Sequence, residues 1–83
     1  MAEVARSPKQ MGNMIQRARR RKGLTQTELA NLSGLRQELI SRIESGHGGT
    51  KLSSLYALFA ALDLDLIVDS RSKGSRTEIQ DIF

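Results

Sequence analysis

Apolar positions recur at helical spacing in four stretches of this chain, and then the spacing changes. In the first stretch Met11, Met14, Ile15 and Ala18 fall on one side of a helix. Ser7-Pro8 opens it. Ser7 offers an N-cap oxygen, and Pro8 occupies the first helical position, where a missing N–H costs nothing. Gln10 stands where it could complete a capping box with Ser7. Gly23 ends this helix.

A second box, Thr25-Gln26-Thr27-Glu28, starts a short helix containing Leu29, Ala30 and Leu32. Ser33-Gly34 breaks it. A third helix is predicted from about Arg36 to Ser45, with Leu39, Ile40 and Ile43 as its apolar stripe, closed by a loop containing Gly46, Gly48 and Gly49. Thr50 or Ser53 caps a fourth, rich in Leu55, Leu58, Phe59 and Leu62.

Beyond Leu62 the period falls to two. Leu64, Leu66 and Val68 alternate with Asp65, Ile67 and Asp69, which reads as a short, partly acidic strand over about residues 64–69. A lone strand in a helical domain leaves its backbone donors and acceptors unpaired unless a second copy supplies the other strand. The expected fold class is therefore mainly α: a compact domain of four helices, or five, whose C-terminal β-strand pairs across a homodimer. Residues 1–6 read as a flexible arm, 7–70 as the folded domain and 71–83 as a flexible tail. The end of the tail, Glu78 to Phe83, reads as an unstructured terminus, with a docking peptide as the alternative.

Composition narrows the classes. A chain of 83 residues with one Tyr and two Phe has room for a single core built from Leu, Ile, Met and Ala. The lack of cysteine excludes a disulfide framework and a thiolate metal site. No apolar run reaches membrane-spanning length and no secretory core opens the chain, so the expected location is the cytoplasm, with no membrane partner. Charge is uneven: residues 1–23 hold seven of the 13 Lys and Arg but only one acid, Glu3. Such an end suits a polyanion at one face, although Arg17, Arg20, Arg21 and Lys22 also fit a solvated helix face.

Residues 26–45 carry the candidate chemistry. Two short helices joined by a tight turn containing Gly34, with small Ala30 where they cross, form the pattern of a helix-turn-helix. Projected at 100° per residue, the third helix gathers Leu39, Ile40 and Ile43 on one side and Gln37, Glu38, Ser41, Arg42 and Ser45 on the other. Amide, carboxylate, hydroxyl and guanidinium groups can read base edges in the major groove of double-stranded DNA. Gln37, Ser41 and Arg42 are the main candidates for base contacts, with Arg36 and Glu38 secondary. Phosphate contacts fall to Gln26 and Thr25 at the start of the second helix, to Lys51, and to Arg17 and Arg21 on the first.

Catalysis finds little support. His47 is the single histidine and sits in a Gly-rich loop with no acid–base partner nearby in sequence. Gly46-His-Gly-Gly-Thr-Lys51 lacks the ending of a phosphate loop, and Asp63, Asp65 and Asp69 lack the Gly and Glu of a calcium loop. No metal or cofactor is expected, and the acids read as edge charges that discourage further strand addition.

Residues 8–62 resemble the phage-repressor and Cro-like (Xre) helix-turn-helix family. The matching stretches are Ile15-Gln-Arg-Ala-Arg19, Gly23-Leu-Thr-Gln-Thr-Glu-Leu-Ala30 and Gly34-Leu-Arg-Gln-Glu-Leu-Ile-Ser-Arg-Ile-Glu-Ser-Gly46. Within that family the chain is most similar to the HipB-type antitoxins, through Ser7-Pro8, Thr50-Lys-Leu-Ser-Ser-Leu55 and Leu62-Asp-Leu-Asp-Leu66. That resemblance implies a homodimer with an intersubunit two-stranded sheet. It also implies repression of the protein's own operon from a palindromic operator, hence nucleoid association when bound, and a HipA-like, kinase-like toxin as partner. The alternative is a stand-alone Xre-family regulator with no toxin; a protein-interaction module that kept the fold without binding DNA is a further rival. The family also implies an ion pair between Arg19 and Glu44. Two departures stand out. Leu39 occupies a position where relatives often carry Ser or Thr, so it touches a thymine methyl or only widens the apolar stripe. Arg36 replaces a frequent small N-cap.

Overall fold

The computed structural model describes residues 3–71; the expectations for Glu78 to Phe83 lie outside them. Four helices form: α1 (Pro8–Arg21), α2 (Gln26–Ser33), α3 (Gln37–Glu44) and α4 (Leu52–Ala61). A fifth is not among the described residues. None of the helices is long and apolar enough to cross a membrane.

Local capping explains most boundaries. Ser7 Oγ accepts from the Gln10 amide at 3.1 Å. The reciprocal bond is shifted from the expected box: Gln10 Oε1 accepts from the amide of Arg6, one residue before the cap, at 2.6 Å. The box of α2 is complete, with Glu28 N–H donating to Thr25 Oγ1 at 3.0 Å and Thr25 N–H donating to Glu28 Oε1 at 2.8 Å. Arg36 is the N-cap of α3 but makes no capping bond with its side chain, as a guanidinium has no acceptor to offer. For α4 neither expected cap serves. Lys51 holds the N-cap position, Ser53 lies inside the helix, and Thr50 precedes the cap with its Oγ1 buried and unpartnered.

Three helices end alike. The amides of Leu24, His47 and Leu64 reach back to the carbonyls of Arg19, Arg42 and Phe59 at 3.1, 3.0 and 2.8 Å. Each wrap needs a left-handed residue just before the donor. Gly23 and Gly46 supply it for α1 and α3, but Asp63 does so for α4, with φ 58°. Its carboxylate accepts from Lys22 Nζ at 2.8 Å, which ties the end of α4 to the end of α1.

The core joins all four helices. Ile15, Leu29, Ile40 and Leu58 are fully buried, one from each helix, with Ala18, Ala30, Ile43, Phe59 and Leu62 around them. α3 packs between α1 and α2, and α2 also packs on α4. α1 approaches the end of α3 so closely that a Cβ on Gly12 would fall on the Ile43 carbonyl oxygen and 2.8 Å from that of Glu44. Leu32, expected among the apolar residues of α2, is instead 62% exposed. Its neighbours Leu29 and Ala30 already fill the narrow contact of a two-turn helix.

Residues 64–71 leave α4 without helix or turn. No strand forms among the described residues, since a ladder needs a neighbour and a single chain offers this segment none.

Candidate nucleic-acid interface

α2, the turn at Gly34 and α3 place one polar face outward. Gly34 caps α2 in the left-handed conformation, φ 78°. This turns the chain at a residue without a Cβ penalty. Ile40 and Ile43 then fix α3 against the core, leaving Gln37, Glu38, Ser41, Arg42 and Ser45 exposed. Leu39 is half-buried and packs against the core cluster, on the apolar side of α3. Arg36 is exposed at the start of α3, and Lys51 at the start of α4.

A chain of side-chain hydrogen bonds runs beneath this face. Gln37 Nε2 donates to Gln26 Oε1 at 2.7 Å. Gln26 Nε2 donates to Glu44 Oε1 at 3.1 Å. Arg19 grips the same carboxylate twice, Nε to Oε2 at 2.7 Å and Nη2 to Oε1 at 3.0 Å. Its remaining arm donates to the Leu24 carbonyl at 2.8 Å. The ion pair implied by the resemblance thus forms, and it is buried. It is also wider than a pair, because Gln16 Nε2 adds a long contact to Glu44 Oε1 at 3.5 Å.

The electrostatics follow from that geometry. Burial alone would push the Glu44 carboxyl up, but hydrogen bonds from Arg19 and Gln26, with the Arg19 charge and Gln16, outweigh it and hold its pKa below the usual carboxylate value. The hydrogen bond to Glu44 raises Arg19 further, against its own desolvation. Glu44 is thus a buried, ionised anchor that sets the orientation of the Gln26 amide. With Gln26 Oε1 facing Gln37, one N–H of Gln37 is spent and its Oε1 and second N–H are left over. A donor and an acceptor side by side match the adenine edge in the major groove.

The remaining sequence candidates fall in different places. Thr25 is exposed, but its hydroxyl is engaged by the Glu28 amide. Arg17 and Arg21 are exposed on α1 and are not among the groups that bond Glu44. They share one carboxylate of the N-terminal arm, with Glu3 Oε1 2.9 Å from Arg17 Nη2 and Oε2 3.9 Å from Arg21 Nη2. Gln16 was not among the sequence candidates. Its signal was available, since three residues before Arg19 is the same helix face.

Comparison with known proteins agrees with this arrangement. A helix-turn-helix family profile matches residues 15–68. Antitoxin HipB of Escherichia coli K12 is 31% identical over 69 residues, covering 83% of this chain and 78% of that protein. Among solved structures, a HipA-HipB-O2-O3 complex superposes with TM-score 0.77 at 29% identity, covering 83% of this chain and 97% of the other. The restriction-modification controller protein C.AhdI from Aeromonas hydrophila gives TM-score 0.66 at 33% identity, covering 70% and 88%.

Proposed function

The chain belongs to the Xre-like helix-turn-helix family, and from that premise we propose that it is a homodimeric transcriptional repressor that reads a palindromic operator with α3. The observation that carries the reading is the outward face of α3, polar and unobstructed, with Gln37 held by Gln26 and Glu44. Gln37, Ser41 and Arg42 contact bases, and Arg36 and Glu38 flank them. Gln26, Thr25 and Lys51 contact phosphates beside them; Arg17 and Arg21 meet phosphates once Glu3 gives them up. Two copies, paired through the segment that follows α4, set their α3 helices in successive major grooves roughly 34 Å apart.

The finer role is that of an antitoxin that represses its own operon and binds a HipA-like toxin. The likeness to HipB and to HipB within a HipA complex supports it. A stand-alone regulator is the alternative, and co-purification of an untagged protein encoded next to this one separates the two. The DNA reading is tested by fluorescence anisotropy at fixed salt on promoter and scrambled DNA. Gln37→Ala should lose about 1–3 kcal/mol of discrimination between them. Unchanged discrimination would refute the base contact.

A further inference from the structure

The segment after α4 holds a second pattern, in its charges, that bears on the register of a dimer. This inference rests on the dimer proposed above and goes beyond it to the register. Leu64 is not free to join a ladder: its side chain packs on the core and its amide is bonded to the Phe59 carbonyl. From Asp65 onward the chain makes no backbone hydrogen bond to the rest of the molecule among those described. Exposure climbs along the apolar residues, from 44% at Leu66 to 71% at Ile67 and 92% at Val68. A large β-branched side chain left that bare is the one a partner would cover with most effect. The same segment borders an open groove lined also by Val4, Met14 and Phe59, so apolar surface continues beneath it.

Two identical antiparallel strands related by a two-fold axis perpendicular to their sheet must place one residue opposite itself, because side chains directly opposite share a face. Charge then chooses among the centres from Leu66 to Asp69; a centre on Ser70 would also pair Asp69 with Arg71, but it would not set the bare Val68 against its own copy. Centred on Ile67, each Asp65 would face an Asp69, putting like charges opposite each other twice. Centred on Asp69, that carboxylate would face its own copy. Centred on Leu66, the ladder would need Leu64, which is already engaged. Centred on Val68, each Asp65 faces an Arg71, an opposite pair made twice, and the barest apolar residue meets itself.

We propose that the dimer is an antiparallel strand pair centred on Val68, with Asp65 of each copy paired to Arg71 of the other. The lack of native cysteine makes this readable by single-cysteine cross-linking of the full chain. Val68→Cys should oxidise to a covalent dimer far faster than Ile67→Cys or Leu66→Cys, since only the self-opposed position brings two Cβ atoms within disulfide range. In sedimentation, Asp65→Arg should weaken the dimer about tenfold, and adding Arg71→Asp should restore it. Preferential cross-linking through Ile67 or Leu66, or a double charge swap that restores nothing, overturns the register while leaving the dimer standing. A chain that stays monomeric with promoter DNA present overturns the dimer and the register together.

Discussion

Gln37 at the start of α3 donates to Gln26 at the start of α2, 2.7 Å apart and eleven residues apart in sequence. The two helices of the motif are thus joined by side chains at the edge proposed to meet DNA. The phosphate contact proposed for Gln26 and the base contact proposed for Gln37 are thereby mechanically coupled. Gln26→Ala should therefore weaken binding to every sequence and also blunt discrimination, because Gln37 loses its partner. Lys51→Ala should only weaken binding and lower the salt slope by about one. Anisotropy titrations over a salt series on promoter and scrambled DNA distinguish the two patterns.

The Arg19–Glu44 pair is buried and made of charge-assisted bonds. Removing one partner leaves the other charged and unpaired in the interior. Arg19→Met should cost about 3–5 kcal/mol. Glu44→Gln leaves Arg19 with a neutral acceptor and should cost less, about 1–3 kcal/mol. Urea denaturation reads both, and equal losses would contradict the buried-charge explanation.

Acid should act through the same carboxylate. The native pKa of Glu44 is depressed, so between it and the unfolded value the unfolded chain binds more protons. The stabilisation is full above the unfolded value of about 4.3 and is lost as pH falls through the lower native value. In thermal melts from neutral pH downward, Glu44→Gln should flatten the acid limb of the Tm profile. A limb as steep as that of the wild type would place the titration elsewhere.

Glu3 holds two bases that are proposed to serve DNA, with Arg17 nearer than Arg21. Both pairs are exposed and worth little to the fold. Glu3→Gln should leave Tm unchanged, strengthen binding to promoter and scrambled DNA alike, and steepen the salt dependence. A fall in affinity would show that the arm assists binding rather than competing for it.

Gly12 lies against the carbonyls of Ile43 and Glu44. These are backbone atoms that cannot swing aside, so Gly12→Ala must push α1 off the end of α3. The expected loss is about 1–3 kcal/mol, read as a lower urea midpoint. Alanine is the better helix former, so a stabilised variant would mean that α1 and α3 are further apart.

Local signals in the sequence located most of this fold. Thr25 and Glu28 are three residues apart, and Gly34 follows the last turn of α2; such features act within one helical turn and can be read as spacing. The outward face of α3 was legible for the same reason. What the spacing did not carry was tertiary. The complete Glu44 cluster depends on α1 crossing α3 at Gly12, which brings Gln16 and Arg19 to the carboxylate, and on α2, which brings Gln26 to the same group. Asp63 could not be read as a helix terminator, because its left-handed turn is supported by Lys22 from the far end of α1. The start of α4 misled because Thr50 looks like a cap, yet its hydroxyl is buried one residue too early.

Operator reading by this chain requires α3 to lie against bases, and amide chemical shifts mapped on the labelled protein during titration with promoter DNA test it. The largest changes should fall on Thr25, Gln26, Arg36, Gln37, Ser41, Arg42 and Lys51, and scrambled DNA should reproduce those at Gln26 and Lys51 but not those at Gln37 and Ser41. Changes confined to the Arg17 and Arg21 side of α1, identical for both DNAs and with α3 silent, would contradict it.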